Sequence, residues 1–112
     1  MLFEKDFYAP LTPELLRAYE QNNHEVQFEA ADDVWALGIC SLCFLFNDDW
    51  RNYYDWSKRR IRMEKLGQNI QMLTNMGFSP GLIRVVTEML DPNNFTRIRL
   101  PSLYEAVNRR TY

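Results

Sequence analysis

Apolar residues recur at steps of three and four along most of the chain, a spacing that places them on one face of an α-helix. Thr12 before Pro13 and Ser79 before Pro80 are typical N-caps followed by a first helical residue. Gly77 is typical of a helix C-terminus. No run of alternating polar and apolar residues indicates a strand, so the sequence predicts an all-α fold. The predicted helices cover residues 12–21, 32–46, 57–76, 79–91 and 101–110.

The segment from Asp32 to Phe46 differs from the other predicted helices because almost every position in it is apolar. A helix that is apolar all round belongs in a protein interior. A buried strand pair is the alternative, since Ile, Cys and Phe also suit strands. The length of the segment and an N-cap at Asp32 or Asp33 favour a helix. We therefore expect a helical bundle around one buried central helix.

Composition and charge place the chain among globular proteins with a single domain, residues 1–112. Hydrophobic residues make up 46% of the 112 and the formal net charge is −2. This balance argues against a nucleic-acid partner, which would require a basic excess. The longest apolar stretch is about thirteen residues and a membrane-spanning helix requires about twenty, so no membrane insertion is expected. A charged start without an export signal, together with two cysteines, predicts an intracellular, cytoplasmic location.

Short motifs in the first half of the chain resemble the C-terminal lobe of a protein kinase, from the end of the activation segment onward. Residues 12–16 are similar to the Ala-Pro-Glu motif that closes that segment, with threonine in place of alanine. Asp33, Trp35 and Gly38 lie in a segment that is similar to the Asp-x-Trp-Ser-Leu-Gly-Val signature opening the long central helix of the lobe. The tryptophan in this signature points to the Ser/Thr-type branch of the family.

A third motif extends the resemblance over nearly the whole chain. Residues 90–92 followed by Arg97 resemble the late Leu-x-x-Asp-Pro-x-x-Arg segment, although two extra residues break its spacing. The resemblance implies a structural ion pair between Glu14 and Arg97, or otherwise Arg99. It also implies that Asp33 would accept hydrogen bonds from the backbone of the catalytic loop, which this sequence lacks. The alternative role for Asp33 is to cap its own helix.

The motifs that perform phosphoryl transfer in kinases are absent from these 112 residues. These motifs are the Gly-rich loop, the strand lysine, the His-Arg-Asp loop and the Asp-Phe-Gly metal motif. We therefore expect no catalytic residue and no cofactor, and predict a non-catalytic, kinase-like scaffold or interaction domain. One alternative is the C-terminal half of a split kinase, active only with a chain that carries the ATP site. A second alternative is an unrelated helical adaptor.

The central helix also predicts a protein partner. In a kinase lobe part of its cover comes from the catalytic loop and the preceding helix, and both are missing from this sequence. An uncovered apolar patch of several hundred Å² is rare on soluble monomers. We therefore expect the domain to dock onto another chain, which would be the missing kinase half, a sister copy or a large complex.

Two neighbouring groups of side chains are candidate interface residues. Aromatic residues with polar tips are typical interface anchors, although local core packing is the alternative. A basic run can contact an acidic partner, although it is more often a solvated helix face. The candidates are Trp50, Tyr53, Tyr54, Trp56, Lys58, Arg59 and Arg60.

The chain carries a C-x-x-C motif, but the sequence does not predict a metal site. Cys40 and Cys43 lie among leucine and phenylalanine, and a zinc site requires a second pair of ligands. His24, the single histidine, is expected to be a solvated side chain in a polar loop. Buried free cysteines are the expected state of both thiols.

Overall fold

The computed structural model describes residues 11–20, 30–55, 57–58 and 60–108. Helices dominate these residues, which confirms the predicted all-α class. They also contain a two-stranded antiparallel sheet that the sequence did not predict. The elements are α1 (Pro13–Glu20), α2 (Ala30–Phe46), a 3₁₀ turn (Trp50–Tyr53), β1 (Tyr54–Asp55), β2 (Arg60–Ile61), α3 (Met63–Asn75), α4 (Pro80–Met89) and α5 (Leu100–Asn108).

Local side-chain chemistry sets several helix ends, as the sequence predicted. The hydroxyl of Thr12 accepts a hydrogen bond of 3.1 Å from the backbone N–H of Leu15, at the start of α1. The hydroxyl of Ser79 accepts a bond of 3.2 Å from the N–H of Leu82, at the start of α4. Gly77 follows α3 with a φ of 88°, a conformation that residues with a Cβ rarely adopt.

The predicted cap of α2 is wrong. The helix already includes Ala30, so Asp32 and Asp33 lie in its first turn and not at the N-cap. Both carboxylates still lie near the positive end of the helix dipole, where negative charge is favourable. Asp32 has an additional contact, since its Oδ1 accepts a hydrogen bond of 3.2 Å from the hydroxyl of Thr12.

The start predicted for α3 is also wrong, because the chain forms a hairpin before the helix. Tyr54 pairs with Ile61 and Asp55 pairs with Arg60 across β1 and β2. The Oδ1 atom of Asp55 accepts bonds from the hydroxyl of Ser57 and from the N–H of residue 58. Such local bonds from a side chain compete with helix formation and favour a turn. The helix therefore begins at Met63, six residues later than the spacing predicted.

Helix α2 lies at the centre of the fold and contacts α4, α5 and the 3₁₀ turn. Val34, Trp35, Ile39 and Leu42 are fully buried on its inner side. Gly38 allows the close approach of α4, because a Cβ at this position would lie only 2.8 Å from Cδ2 of Leu90. None of the described helices combines the length and the hydropathy that crossing a membrane requires.

Candidate docking surface

One face of the central helix is open to solvent. Leu37, Cys40 and Phe44 recur at steps of three and four, so they lie on the same side of α2. Phe44 is 86% exposed and Leu37 is 50% exposed, although both belong to the most apolar helix of the protein. Helix α2 is therefore buried on one side and bare on the other.

The bare face of α2 forms one wall of an apolar groove, and α4 and α5 supply the others. The groove has a volume of about 500 Å³, and no charged side chain is found among the described residues that line it. Its one hydroxyl, on Ser41, already donates a hydrogen bond of 2.8 Å to the carbonyl oxygen of Leu37. An exposed apolar surface of this kind is uncommon on soluble monomers and is typical of interaction sites. Its lining residues are Leu37, Cys40, Ser41, Phe44, Leu45, Leu82, Val85, Val86, Met89, Leu103 and Val107.

The structure brings Glu14 and Arg97 together, 83 positions apart in the chain. Nη2 of Arg97 lies 3.1 Å from Oε1 of Glu14, and Nε donates a bond of 2.8 Å to the carbonyl oxygen of Asp91. The guanidinium also lies over the ring of Trp35, 5.2 Å from its centroid. The Arg97 side chain is fully buried, so this cluster joins α1, α2 and the segment after α4. Arg99, the other arginine considered for the pair, is exposed.

Trp35 is held by a hydrogen-bonded chain inside the fold. Its Nε1 donates a bond of 3.3 Å to the hydroxyl of Tyr54, which donates in turn to the carbonyl oxygen of Leu11. Burial raises the pKa of the Tyr54 phenol well above its usual range, against the opposing effect of these two bonds. Trp35 therefore acts as a core anchor between α2, the hairpin and the start of α1.

The interface prediction for Tyr53 and Tyr54 is wrong, because both rings are buried within this chain. Tyr53 ends the 3₁₀ turn, and its hydroxyl accepts a bond of 2.7 Å from the side chain of Asn69. Trp50 is half-buried and meets the ring of Tyr54 edge-on at 5.7 Å. The other aromatic candidate, Trp56, lies outside the described residues.

The basic run, Lys58 to Arg60, lies at the surface where the structure describes it. Lys58 and Arg60 are exposed, and Arg59 lies outside the described residues. Arg62 is engaged with the fold, since its Nε donates a bond of 3.3 Å to the carbonyl oxygen of Tyr54. Lys58 and Arg60 remain candidates for contact with a partner.

The two cysteines differ in their surroundings. The expected burial is wrong for Cys40, which is exposed on the bare face of α2, whereas Cys43 is half-buried. Burial raises the pKa of the Cys43 thiol to about 11, so the thiol is protonated at neutral pH. Within the residues the structure describes, no three His, Cys, Asp or Glu side chains are grouped closely enough to hold a metal ion. His24 lies outside those residues.

Comparison of the chain with protein-family models, with curated proteins and with solved structures finds no match.

Proposed function

We propose that this chain is a non-catalytic interaction domain, similar to the C-terminal lobe of a protein kinase, that docks onto another protein. The observation that carries the proposal is the uncharged groove on the bare face of α2. Leu37 and Phe44 are exposed on one face of a helix whose opposite face is buried, and an exposed apolar helix face of this kind is suited to packing against an apolar helix of a partner.

The exposed apolar area on α2 gives a measure of the free energy that favours association with a partner. Covering Phe44 and Leu37 would remove on the order of 250 Å² of apolar surface from water, worth about 6 kcal/mol. Association costs about 4–15 kcal/mol in lost translational and rotational freedom, so these two side chains do not suffice for tight binding. The remaining lining residues from α4 and α5 must contribute, which favours a partner that fills the whole groove.

The buried ion pair supports a kinase-like lobe over an unrelated helical adaptor. In an unrelated adaptor the order of the three motifs would be a coincidence, and Glu14 would have no reason to lie near Arg97. Their side chains are 3.1 Å apart, in the pairing that the resemblance implies. The central position of Trp35 in the core supports the same arrangement.

A split kinase is the second candidate, and the placement of Asp33 favours it. Asp33 is exposed in the first turn of α2, where a neighbouring chain can reach it. In the kinase family the corresponding aspartate accepts hydrogen bonds from the catalytic-loop backbone. A partner that carries this loop would supply the strand lysine and both catalytic aspartates as well.

Photo-crosslinking at two phenylalanines tests the proposal. A photoreactive phenylalanine at position 44 should form an adduct with one discrete partner protein in the native source. The matched control is position 95, because Phe95 is 82% exposed and does not line the groove. The variant Phe44→Asp should lose the partner, and Phe95→Asp should retain it.

Equal adducts at both positions, or a partner that is retained by Phe44→Asp, would contradict docking through the groove. The sequence of the crosslinked protein separates the two candidates. A scaffold partner lacks the strand lysine and the two catalytic aspartates, whereas the other half of a split kinase carries all three.

A further inference from the structure

A second cleft lies away from the groove, where α1 meets β2 and the segment after α4. It has a volume of about 270 Å³ and shares none of its lining residues with the apolar groove. Leu16, Ile61 and Met63 provide apolar surface, and Pro13 and Pro92 contribute rigid walls. A cleft of this size accommodates one apolar side chain of a bound peptide.

Two arginines flank this apolar surface. Arg17 belongs to α1 and Arg60 to β2, and both side chains are exposed. Neither guanidinium forms an ion pair with any residue that the structure describes. None of the described residues lining the cleft is acidic. The described lining of the cleft therefore carries two positive charges and no negative charge, on a chain whose formal net charge is −2.

The acidic residue opposite Arg60 in the hairpin has other bonds. Asp55 faces Arg60 in the strand register, but its Oδ1 accepts hydrogen bonds from Ser57 and Lys58. These bonds hold the pKa of Asp55 below its usual range. The carboxylate thus stabilises the turn, and Arg60 is available for a ligand.

We propose that this cleft binds a short acidic peptide segment, with one apolar side chain flanked by aspartate or glutamate. The apolar side chain would pack on Leu16, Ile61 and Met63. The flanking carboxylates would accept paired hydrogen bonds from Arg17 and Arg60, because the planar guanidinium matches the geometry of a carboxylate. The segment would belong to another protein, and its contact is separate from docking in the groove.

Fluorescence anisotropy with a defined peptide tests this inference. The probe is a fluorescein-labelled nonapeptide with one central leucine and four glutamates on each side, titrated with the purified full chain. Binding should saturate, and it should weaken when the NaCl concentration is raised from about 50 to 500 mM. Replacing the leucine by serine should weaken binding about fivefold, since the apolar contact is lost.

Reversing the charges of Arg17 and Arg60 tests whether the peptide binds in this cleft. The double variant Arg17→Glu with Arg60→Glu should weaken binding by about tenfold or more, because it replaces attraction by repulsion at both flanks. The matched control is Arg84→Glu, an exposed arginine on α4 that lines neither cleft, and it should change binding less than about twofold. Thermal unfolding by circular dichroism should show that all three charge changes leave the chain folded.

Three results would overturn the inference: no saturable binding, equal binding by the double variant, or equal binding of the serine peptide. The single variants Arg17→Gln and Arg60→Gln keep the inference testable if the double variant does not fold, and each should weaken binding. Phe44→Asp should bind the peptide as the unchanged chain does, so failure of this inference is distinguishable from failure of docking through the groove.

Discussion

Replacing Glu14 by alanine should destabilise the fold by about 3 kcal/mol, because it removes the carboxylate that pairs with the buried guanidinium of Arg97. Breaking a buried ion pair by removing one member costs roughly 3–5 kcal/mol. The lower end applies, since the Glu14 side chain is 29% exposed and its removal admits water toward the guanidinium. The carbonyl oxygen of Asp91 and the ring of Trp35 remain as partial compensation.

Urea unfolding followed by tryptophan fluorescence measures this loss. With a denaturant slope of about 1.5 kcal/mol per M, the midpoint should fall by about 2 M. Glu88→Ala is the matched control, because Glu88 is exposed on α4 and its side chain forms no ion pair with a described residue. This control should shift the stability by less than about 0.5 kcal/mol.

A double-mutant cycle isolates the pair from other effects of the substitution. Adding Arg97→Met to Glu14→Ala should restore stability by about 1 kcal/mol or more, since the buried charge that has lost the Glu14 carboxylate is then absent. A loss for Glu14→Ala no larger than that for Glu88→Ala would refute the reasoning. Strictly additive effects of the two substitutions would refute it as well.

Three further predictions concern the core and the thiols. Gly38→Ala should cost about 1–3 kcal/mol in thermal or urea unfolding, because its Cβ would lie 2.9 Å from Cγ of Leu90. Above pH 10.0, the usual pKa of tyrosine, the unfolded chain releases the phenol proton of Tyr54 while the folded chain keeps it. The free energy of unfolding should therefore fall by up to about 1.4 kcal/mol per pH unit from this group, and Tyr54→Phe should remove that part of the slope. At pH 7.5 iodoacetamide should label the exposed Cys40 well before Cys43, because the Cys43 thiol is protonated and half-buried. Peptide mass spectrometry measures the two labelling rates, and equal rates would contradict this prediction.

The helix ends were predictable from the sequence because capping depends on a few neighbouring residues. The capping bonds of Thr12 and Ser79 and the backbone bond of Gly77 each span three positions, so the residue types alone indicated these helix ends. The helix ends that were predicted wrongly depend on distant or competing contacts. The hairpin before α3 has strands of only two residues, too short for an alternating pattern, and Asp55 stabilises its turn.

The position of the groove could not be predicted from the sequence, because no local pattern marks it. The run that forms α2 is apolar at nearly every position, so it contains no signal for which face would be bare. In the fold, α4, α5 and the 3₁₀ turn pack on α2, and Leu37 and Phe44 are left facing outward. The Glu14 and Arg97 contact was named in advance because the resemblance, not the local pattern, connected two segments far apart in the chain.

The inward position of Tyr53 and Tyr54 was equally invisible in the sequence. An aromatic-rich polar segment is compatible with an interface and with a core. The structure places both tyrosines in the core, where Tyr54 in β1 bonds with Trp35 of α2 and Tyr53 at the end of the 3₁₀ turn bonds with Asn69 of α3. Arg17 was missed as a site residue, because its proximity to Arg60 arises only when α1 packs beside β2.

The molar mass of the purified chain in solution, measured by light scattering, tests most directly whether α2 needs a partner. We expect the unchanged chain to associate or aggregate when alone, and Phe44→Asp to shift it toward a dispersed species of 13.4 kDa. Phe95→Asp should behave as the unchanged chain does. A well-folded, dispersed monomer of 13.4 kDa for the unchanged chain would contradict the claim that the bare face of α2 requires cover by another protein.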